Sequence, residues 1–373
     1  KVTPQSGTTL TIGDSGDTTN IVGTLQNNGS ELTGDISSVV AGTGLSGGGT
    51  SGDVTLNSDL LAKQAGTNFT NSLLVGTSST GTLSSADGNT GVGIGVFGAL
   101  TTGDNNVAVG LNALDVNTTG SENVAVGMGA LDTNTTGAGN ISIGCGSMSA
   151  NVSGNYNVAI GRCALDTSVS GSANVAIGDR ALYTNTASYN TSVGFFSLAA
   201  NTTGETNVAV GQNSLAANTT GARNTGIGQN ALLVSTTGAN NTAVGQGALE
   251  ANTTASDNSA FGHDSLVANT TGVQNSAYGY RSLAANTTGA NNVAVGNDTL
   301  DASTTASDNT AVGKAALTSN TTGHSNVAVG KSALAANTDR DNLTAVGFGA
   351  LAIHTTGDNN TAVGAYSLNK STD

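Results

Sequence analysis

One glycine recurs along most of the chain at an almost constant interval, and this interval constrains the fold more than any other feature. The glycine closes a five-residue segment with the sequence Asn106-Val107-Ala108-Val109-Gly110. Its copies follow a 17-residue period, broken by one 16-residue step, and they stand at positions 93, 110, 127, 144, 161, 178, 194, 211, 228, 245, 262, 279, 296, 313, 330, 347 and 364. A fixed period of this kind indicates a solenoid, in which each repeat packs only against its neighbours.

Two apolar columns of the repeat predict its hydrophobic interior. The residue before the glycine is Val, Ile, Phe or Tyr, and the residue four positions after it is Leu or Met in nearly every copy. We therefore predict that these two columns form the core, with the representative members Val109, Leu114, Val126, Leu131, Ile160 and Leu165. A helical repeat would need a longer period and helix-forming residues at 3.6-residue spacing. The pattern thus predicts an all-β, parallel β-solenoid of 17-residue coils, a rod about 80 Å long at roughly 4.8 Å per coil.

The polar columns predict the corners of each coil. Asn106 and its equivalents are expected to stack as a ladder of side-chain amides. The repeated glycine is expected to take a positive φ at a corner, where a side chain would be unfavourable. The segment Asn117-Thr118-Thr119-Gly120 and its copies supply polar turn residues.

The residue between the two apolar positions of the strand is small in every copy, as in Ala108, Ala125 and Ala159. A solvated face would tolerate long polar side chains, so the sequence predicts that these residues face a closely packed surface. The simplest such surface is provided by further copies of the same chain around a threefold axis. We therefore predict a homotrimer in which the alanines face the partner chains.

The chain before the repeat differs in composition. Short β-prone runs lie between Gly, Asp, Asn and Ser, with too few apolar residues for the core of a single chain. A possible helical turn covers residues 59–63, and an extended run follows at Phe69–Val75. We predict four segments: a stalk of short strands at 1–37, a Gly-rich β connector at 38–85, the roll of 17 coils at 86–368, and a tail or link to further sequence at 369–373.

The charge of the chain excludes some partners. The formal net charge is −14, from 10 basic and 24 acidic residues. Because contacts between basic side chains and phosphates dominate nucleic-acid affinity, no nucleic-acid partner is expected. An acidic chain is repelled by anionic membranes, and no run of 18 apolar residues exists, so no membrane insertion is expected.

Two copies of the repeat, Asn157-Val158-Ala159-Ile160-Gly161 and Asn174-Val175-Ala176-Ile177-Gly178, resemble the head repeats of the trimeric autotransporter adhesins. This resemblance covers about three quarters of the chain and implies a left-handed parallel β-roll packed as a homotrimer. The period here is longer because of the added Asn-Thr-Thr-Gly corner. The membrane-anchor barrel and the coiled-coil stalk of that family are missing from this stretch.

Other segments resemble bacteriophage tail fibres. These are residues 40–57, residues 10–17 and the long form of the repeat at residues 240–249. The resemblance implies a structural and adhesive fibre in the virion that spaces or presents a host-binding tip. Its expected partners are itself, as a homotrimer, other tail or fibre proteins, and a host cell-surface receptor, with glycans among the candidates. The alternative is the head of a trimeric adhesin on a bacterial cell surface.

No pattern of catalytic or metal-binding residues is visible, so we expect no enzyme activity, no catalytic residue, no cofactor and no metal site. The histidines lie in different columns and are expected to be solvated surface residues, namely His263, His324 and His354. A carboxylate position shared by a few coils does not continue along the repeat, its members being Asp115, Asp132 and Asp166. The sequence favours free thiols over a disulfide for Cys145 and Cys163, since their positions in neighbouring coils differ by one residue.

The threonine columns leave a minor alternative open. Stacked equivalents of Thr118 and Thr119 would form two columns along the rod that could order water, as in an ice-binding β-solenoid. The pair lies at a corner instead of on a flat strand, and Asp339-Arg340 interrupts it.

The two positions that follow each glycine vary in sequence, which predicts that they are exposed. Near the 16-residue step the chain has a group of aromatic and basic residues: Arg180, Tyr183, Tyr189, Phe195 and Phe196. Exposed aromatic patches often mark binding sites, so this group is a candidate receptor-contact patch. Packing at a trimer interface or at a corner is the alternative explanation for the same residues.

Overall fold

The computed structural model describes residues 68–76 and 80–369, and before them the strand segments 26–27, 30–31, 39–40, 45–49, 56–58 and 63–66. These residues form strands and turns, and none of them is helical. The chain divides into two compact units, Lys1–Leu61 and Ala62–Asp373.

The first unit contains short antiparallel strands. Strand β1 (Gln26–Asn27) pairs with β2 (Ser30–Glu31). Strand β4 (Leu45–Gly49) lies between β3 (Val39–Val40) and β5 (Leu56–Ser58). The rest of the predicted stalk, and residues 59–62 of the predicted helical turn, lie outside the described residues.

The second unit is one long sheet of short strands. It begins with β6 (Lys63–Gly66) and β7 (Phe69–Val75), which are antiparallel to each other and confirm the extended run predicted at Phe69–Val75. Seventeen three-residue strands follow, one per coil: β8 (Thr90–Val92), β9 (Val107–Val109), β10 (Val124–Val126), β11 (Ile141–Ile143), β12 (Val158–Ile160), β13 (Val175–Ile177), β14 (Thr191–Val193), β15 (Val208–Val210), β16 (Thr225–Ile227), β17 (Thr242–Val244), β18 (Ser259–Phe261), β19 (Ser276–Tyr278), β20 (Val293–Val295), β21 (Thr310–Val312), β22 (Val327–Val329), β23 (Thr344–Val346) and β24 (Thr361–Val363).

Every strand from β7 to β24 pairs in parallel with the next one along the chain. The register never slips within the roll: Val107 pairs with Val124, which pairs with Ile141. Even the short coil keeps this register, because Val175 pairs with Thr191. The predicted parallel β-solenoid of about 17 turns is therefore confirmed.

The repeated glycine ends each strand, as predicted. Gly110 has a φ of 134°, a value that side chains disfavour. A Cβ atom at this position would clash with the carbonyl group of Gly127, the equivalent glycine of the next coil, and would lie 2.7 Å from its carbonyl carbon. Both the backbone conformation and the close approach of the next coil therefore require glycine.

The strands face the opposite way from the prediction. Ala108, Ala125 and Ala159 are fully buried inside their own coils, so they do not face a partner chain. Val109 and Ile160, predicted to be core residues, are 37% and 36% exposed on the outer face of the sheet. Their equivalent Val126 is only half-buried on the same face.

The other predicted core column is correct, and it explains the reversal. Leu114, Leu131 and Leu165 are fully buried. A Cβ atom at Gly226, which occupies the alanine position, would lie 3.3 Å from Leu215 Cγ and 2.6 Å from Ser214 Oγ. The opposite wall of the coil is so close that only Gly, Ala or Ser fits on the inner side of the strand.

Two asparagine ladders connect the coils. In the predicted ladder, Asn106 Nδ2 donates to Asn89 Oδ1 at 3.0 Å and to the Gly120 carbonyl at 2.9 Å. A second ladder, which the sequence analysis did not predict, runs through the Asn-Thr-Thr-Gly corner. In it, Asn134 Nδ2 donates to Asn117 Oδ1 at 2.9 Å. Apart from Asn360 near the end of the roll, the asparagines of both columns are fully buried, and these bonds satisfy most of their polar atoms.

Each coil also contains side-chain-bearing residues with positive φ. Leu114 has a φ of 52° and Asn112 a φ of 56°, and equivalent residues repeat these values along the roll. The left-handed region is unfavourable for most L-residues and is tolerated best by Gly, Asn and Asp. The position of Asn112 is Gly, Asn or Asp in most coils. This column is therefore constrained by the backbone and is less free than the sequence analysis assumed.

A pair of glycine substitutions separates the two constraints on the glycine column. We expect Gly110→Ala to destabilise the roll by on the order of 4 kcal/mol or more, because its Cβ would clash with backbone. Gly129→Ala is the control, since Gly129 has a φ of 64° but no atom within 4 Å of the place that a Cβ would take. The Gly129→Ala variant should lose only about 1–2 kcal/mol of unfolding free energy, the usual strain of a left-handed residue. Equal losses in denaturant unfolding would contradict the close approach of the coils.

Candidate functional site

The surface that follows each strand carries the candidate site. The first residue after the repeated glycine is exposed in many coils, for example Leu111, Met128, Phe195, Tyr280 and Phe348. The second residue has a positive φ, so its side chain leaves the backbone at a fixed angle in every coil. We call these two columns the lateral surface of the roll.

Three residues of the predicted patch meet on the lateral surface. The rings of Phe195 and Phe196 are in edge-to-face contact, with their centroids 4.5 Å apart. The Arg180 guanidinium carbon lies 5.3 Å from the centroid of the Phe196 ring, within the range of a cation–π interaction. Phe195 is 48% exposed. The structure therefore groups a cation and two rings at this place.

The other two residues of the patch lie elsewhere on the coil. Tyr183 is half-buried and follows the buried Leu182, beyond the lateral surface. Tyr189 is 66% exposed and lies at the corner that precedes β14. In the described part of the chain, no ring contact joins either tyrosine to the phenylalanines.

The 16-residue step lies at the corner of this coil. Thr186 and Ala187 occupy the places that Thr202 and Gly204 occupy in the next coil: the Thr186 amide donates to the Thr202 carbonyl, and the Ala187 carbonyl accepts the ladder bonds. The residue missing from the short coil is therefore the equivalent of Thr203. The step shortens the corner beside Tyr189 and leaves the lateral surface unchanged.

Three further aromatic pairs were not recognised in the sequence analysis. Tyr280 stacks on His263 with the ring centroids 5.6 Å apart, and Tyr278 stacks on Phe261 at 4.9 Å. Near the end of the roll, Phe348 contacts Tyr366 at 5.0 Å and lies 5.7 Å from Lys331 Nζ. Because residues one coil apart lie side by side, the 17-residue spacing was the signal for the first two pairs, whereas Phe348 and Tyr366 are 18 residues apart.

An ion pair and a His–Asp contact border the aromatic residues. Arg281 lies 3.2 Å from Asp301, and His263 lies 3.1 Å from Asp264. Burial raises the pKa of Asp301, and the neighbouring Arg281 partly opposes this rise. Exposed rings bordered by charged groups are suited to binding a partner that has both apolar and polar surfaces.

The histidines are not all solvated. His263 and His324 are exposed, as predicted, but His354 is fully buried, and that part of the prediction is wrong. His354 follows Asn337 by one full coil and takes its place in the second ladder, where its Nε2 is 2.9 Å from the Gly357 carbonyl oxygen. The periodicity of the column therefore buries this imidazole.

The carboxylates form only a short row. Asp115 and Asp132 lie in neighbouring coils, and burial together with repulsion from Asp115 raises the pKa of Asp132. Ser149 occupies the next coil and donates a hydrogen bond to Asp166 in the following one. Within the described ranges, no three His, Cys, Asp or Glu residues are grouped closely enough to hold a metal ion.

The threonine columns form hydrogen bonds along the roll. The hydroxyl of Thr118 donates to the Thr135 carbonyl at 2.9 Å, and this bond recurs from coil to coil. The second column, represented by Thr119, is exposed. The hydroxyl groups of one of the two columns considered for ice binding are therefore used in hydrogen bonds within the roll.

The outer face of the sheet carries one unbroken apolar column beside a column that contains Val, Ile, Thr and Ser. Each strand contributes two outward side chains, such as Val107 and Val109, and the second of them is Val, Ile, Phe or Tyr in every coil. The two coils that carry a ring here, Phe261 and Tyr278, have serine as the first outward residue, and no other coil does. A large residue is thus paired with a small one on this face.

Comparison of the chain with family models, with curated proteins and with solved structures finds no match. Over the residues that the structure describes, no helix has the length and apolar character needed to cross a membrane.

The two cysteines are free, as predicted, and should react at different rates. Cys145 is exposed, whereas Cys163 is half-buried, and burial raises the pKa of the Cys163 thiol. Because the thiolate is the reactive form, a thiol reagent at pH 8 should modify the Cys163→Ser variant several-fold faster than the Cys145→Ser variant. Absorbance of the released chromophore gives both rates, and equal rates would contradict the difference in environment.

Proposed function

We propose that this chain is a structural and adhesive fibre of a phage tail. Three copies pack together along the outer faces of their strands, and the lateral surface contacts a receptor on the host cell. The observation that carries the proposal is the apolar column on the outer face, which continues through all 17 coils.

The length of this face supports self-association. The largest apolar patch on a typical monomeric protein covers only about 300–600 Å². Here one apolar column continues along the whole roll beside a column of Val, Ile, Thr and Ser, and Val109, Ile143, Ile177 and Val295 are each more than a third exposed. Burial of this strip against an equivalent strip would remove it from water, with a gain of roughly 25 cal/mol per Å².

The repeat supports a partner of the same sequence. Rotational symmetry about an axis along the roll places identical coils of each copy at the same height. Each ring on the face would then meet its own equivalents and the small serines beside them, Ser259 and Ser276. The pairing of large with small residues is what close packing at this face requires. The choice of three copies follows from the resemblance to trimeric fibres.

The lateral surface supports the adhesive part of the proposal. Arg180, Phe195 and Phe196 form one group, in which Phe195 is exposed and the other two are half-buried, and His263 with Tyr280 forms an exposed pair. Aromatic rings and arginine are the residues that most often dominate binding energy at interfaces. They stand on columns separate from the outward strand residues, so one chain can carry both surfaces.

A trimeric bacterial adhesin head is the second candidate. The segment Asn157-Val158-Ala159-Ile160-Gly161 favours it, and the same outer face would serve as its trimer interface. The two candidates share the fibre and its packing and differ in the particle or cell that carries it. The threonine hydrogen bonds along the roll give no specific support to the ice-binding alternative.

The oligomeric state tests the proposed interface. Light scattering of the purified chain should give three times the 36.1 kDa of one chain. The double variant Ile160→Glu/Ile177→Glu places carboxylates on the outer face and should dissociate the trimer. Gln212→Glu is the control, since it adds charge at an exposed position on the lateral surface and should leave the mass unchanged. A monodisperse monomer of the unaltered chain would refute the trimer.

Receptor contact is tested with the phenylalanine pair. We expect the double variant Phe195→Ser/Phe196→Ser to weaken adsorption to host cells by about tenfold or more, the loss of one interface hot spot. Tyr189→Ser is the matched control, because Tyr189 is also aromatic and exposed but lies at the opposite end of β14. Unchanged adsorption by the double variant, with the trimer intact, would remove this group from the receptor site.

A further inference from the structure

The second asparagine ladder is interrupted at regular intervals. Its column contains three asparagines followed by one serine, and this order recurs three times. The final three places hold two asparagines and a histidine. The full column is Asn117, Asn134, Asn151, Ser168, Asn185, Asn201, Asn218, Ser235, Asn252, Asn269, Asn286, Ser303, Asn320, Asn337 and His354.

Each serine leaves two buried polar atoms without a partner. Ser168 Oγ and Asn151 Oδ1 of the preceding coil are both buried and unpaired. The same two atoms are unpaired at Asn218 with Ser235 and at Asn286 with Ser303. All six residues are fully buried. An unsatisfied buried polar group is unfavourable, and the same arrangement at three places points to a common cause.

The uninterrupted coils show what the serine lacks. Asn134 Nδ2 donates to Asn117 Oδ1 of the coil before it, at 2.9 Å, and to the Gly137 carbonyl of its own coil, at 3.0 Å. Its Oδ1 accepts from Asn151 Nδ2 of the next coil, at 2.8 Å. A serine at this place removes the two donated bonds and the accepted bond together.

The amide orientation at each break is fixed by its neighbours. Asn151 Nδ2 donates to Asn134 Oδ1 at 2.8 Å and to the Gly154 carbonyl at 3.2 Å. Exchanging the nitrogen and oxygen of this amide would place its oxygen against two other oxygens. Asn151 Oδ1 therefore points toward the coil of Ser168 as an acceptor in need of a donor.

We propose that each serine of this column holds one buried water molecule that takes the place of the missing carboxamide. At Ser168 the water donates one hydrogen bond to Asn151 Oδ1 and one to the Gly171 carbonyl, as an asparagine amide does in other coils. It accepts from Asn185 Nδ2, which uses one of its two hydrogens on the Ala187 carbonyl at 2.7 Å. The Ser168 hydroxyl is its fourth partner.

The chemistry of the site selects water over an ion. The site offers carbonyl oxygens as acceptors, an amide N–H as a donor, and a hydroxyl that serves as either. The oxygens disfavour an anion, and the N–H disfavours a cation. A serine side chain has two heavy atoms fewer than asparagine, and a buried water with 2–4 polar partners is a normal part of protein interiors.

The three waters define a longer repeat of four coils. Ser235 and Ser303 are separated by four full coils, and the interval from Ser168 to Ser235 is shorter by a single residue because the short coil lies between them. At roughly 4.8 Å per coil, neighbouring waters are about 19 Å apart along the roll. The next position of this longer repeat is Ser371, which lies outside the described residues.

A high-resolution crystal structure of the unaltered chain tests the proposal directly. It should show an ordered water within hydrogen-bond distance of Asn218 Oδ1, Ser235 Oγ and Asn252 Nδ2. Equivalent waters should appear at Ser168 and Ser303. Absence of density at these three places would overturn the proposal.

A pair of variants tests it in solution. Ser235→Asn should displace the water and complete the ladder, so the thermal midpoint should stay within a few degrees of the original or rise. Ser214→Asn is the matched control, because Ser214 is equally buried but already donates to the Gly226 carbonyl at 2.8 Å. It has no site for a carboxamide, and its midpoint should fall by a clearly larger amount. Equal losses in the two variants would show that Ser235 has no room for the amide or the water, and would overturn the proposal.

Discussion

The in-register stacking of parallel coils is the constraint on which the rest of the structure depends. Each residue lies beside its equivalent in the next coil, so one residue type in one column becomes a continuous surface. Asn106 bonds to Asn89, Arg162 pairs with Asp179 at 2.7 Å, and Tyr278 stacks on Phe261. A single three-residue strand contributes little stability alone. The stability of the roll is the sum of these contacts between neighbouring coils.

The small distance between the walls of the coil decides what each column can hold. Leucine from one wall fills the interior, and the facing strand has room only for Gly, Ala or Ser. The larger valine and isoleucine side chains are therefore placed outside. This arrangement leaves an apolar face that a solitary chain cannot bury, and both the proposed fibre and its assembly depend on that face.

Sequence reasoning predicted the features that depend on periodicity alone. These are the parallel solenoid, the positive φ of the glycine, the leucine core and the first asparagine ladder. It chose the wrong face of the strand as the interior. Burial of a larger apolar side chain usually stabilises a fold more, and this favoured Val109 over Ala108 as the interior residue. It also treated His354 as a surface residue, although the column that it occupies is buried. In the candidate site, it predicted the group of Arg180, Phe195 and Phe196 but added Tyr183 and Tyr189, which lie on other parts of the coil.

The sequence by itself determined the 17-residue coil, its parallel stacking and its corners, because residues repeated at a fixed interval can pack together in that way only when the interval equals one turn. Only the tertiary structure decided which side of the strand is inside, which side chains of a variable surface meet, and which buried amides lack a partner. These properties depend on the distance across a coil and between coils. That distance is set by all the columns together, and no single position in the sequence encodes it.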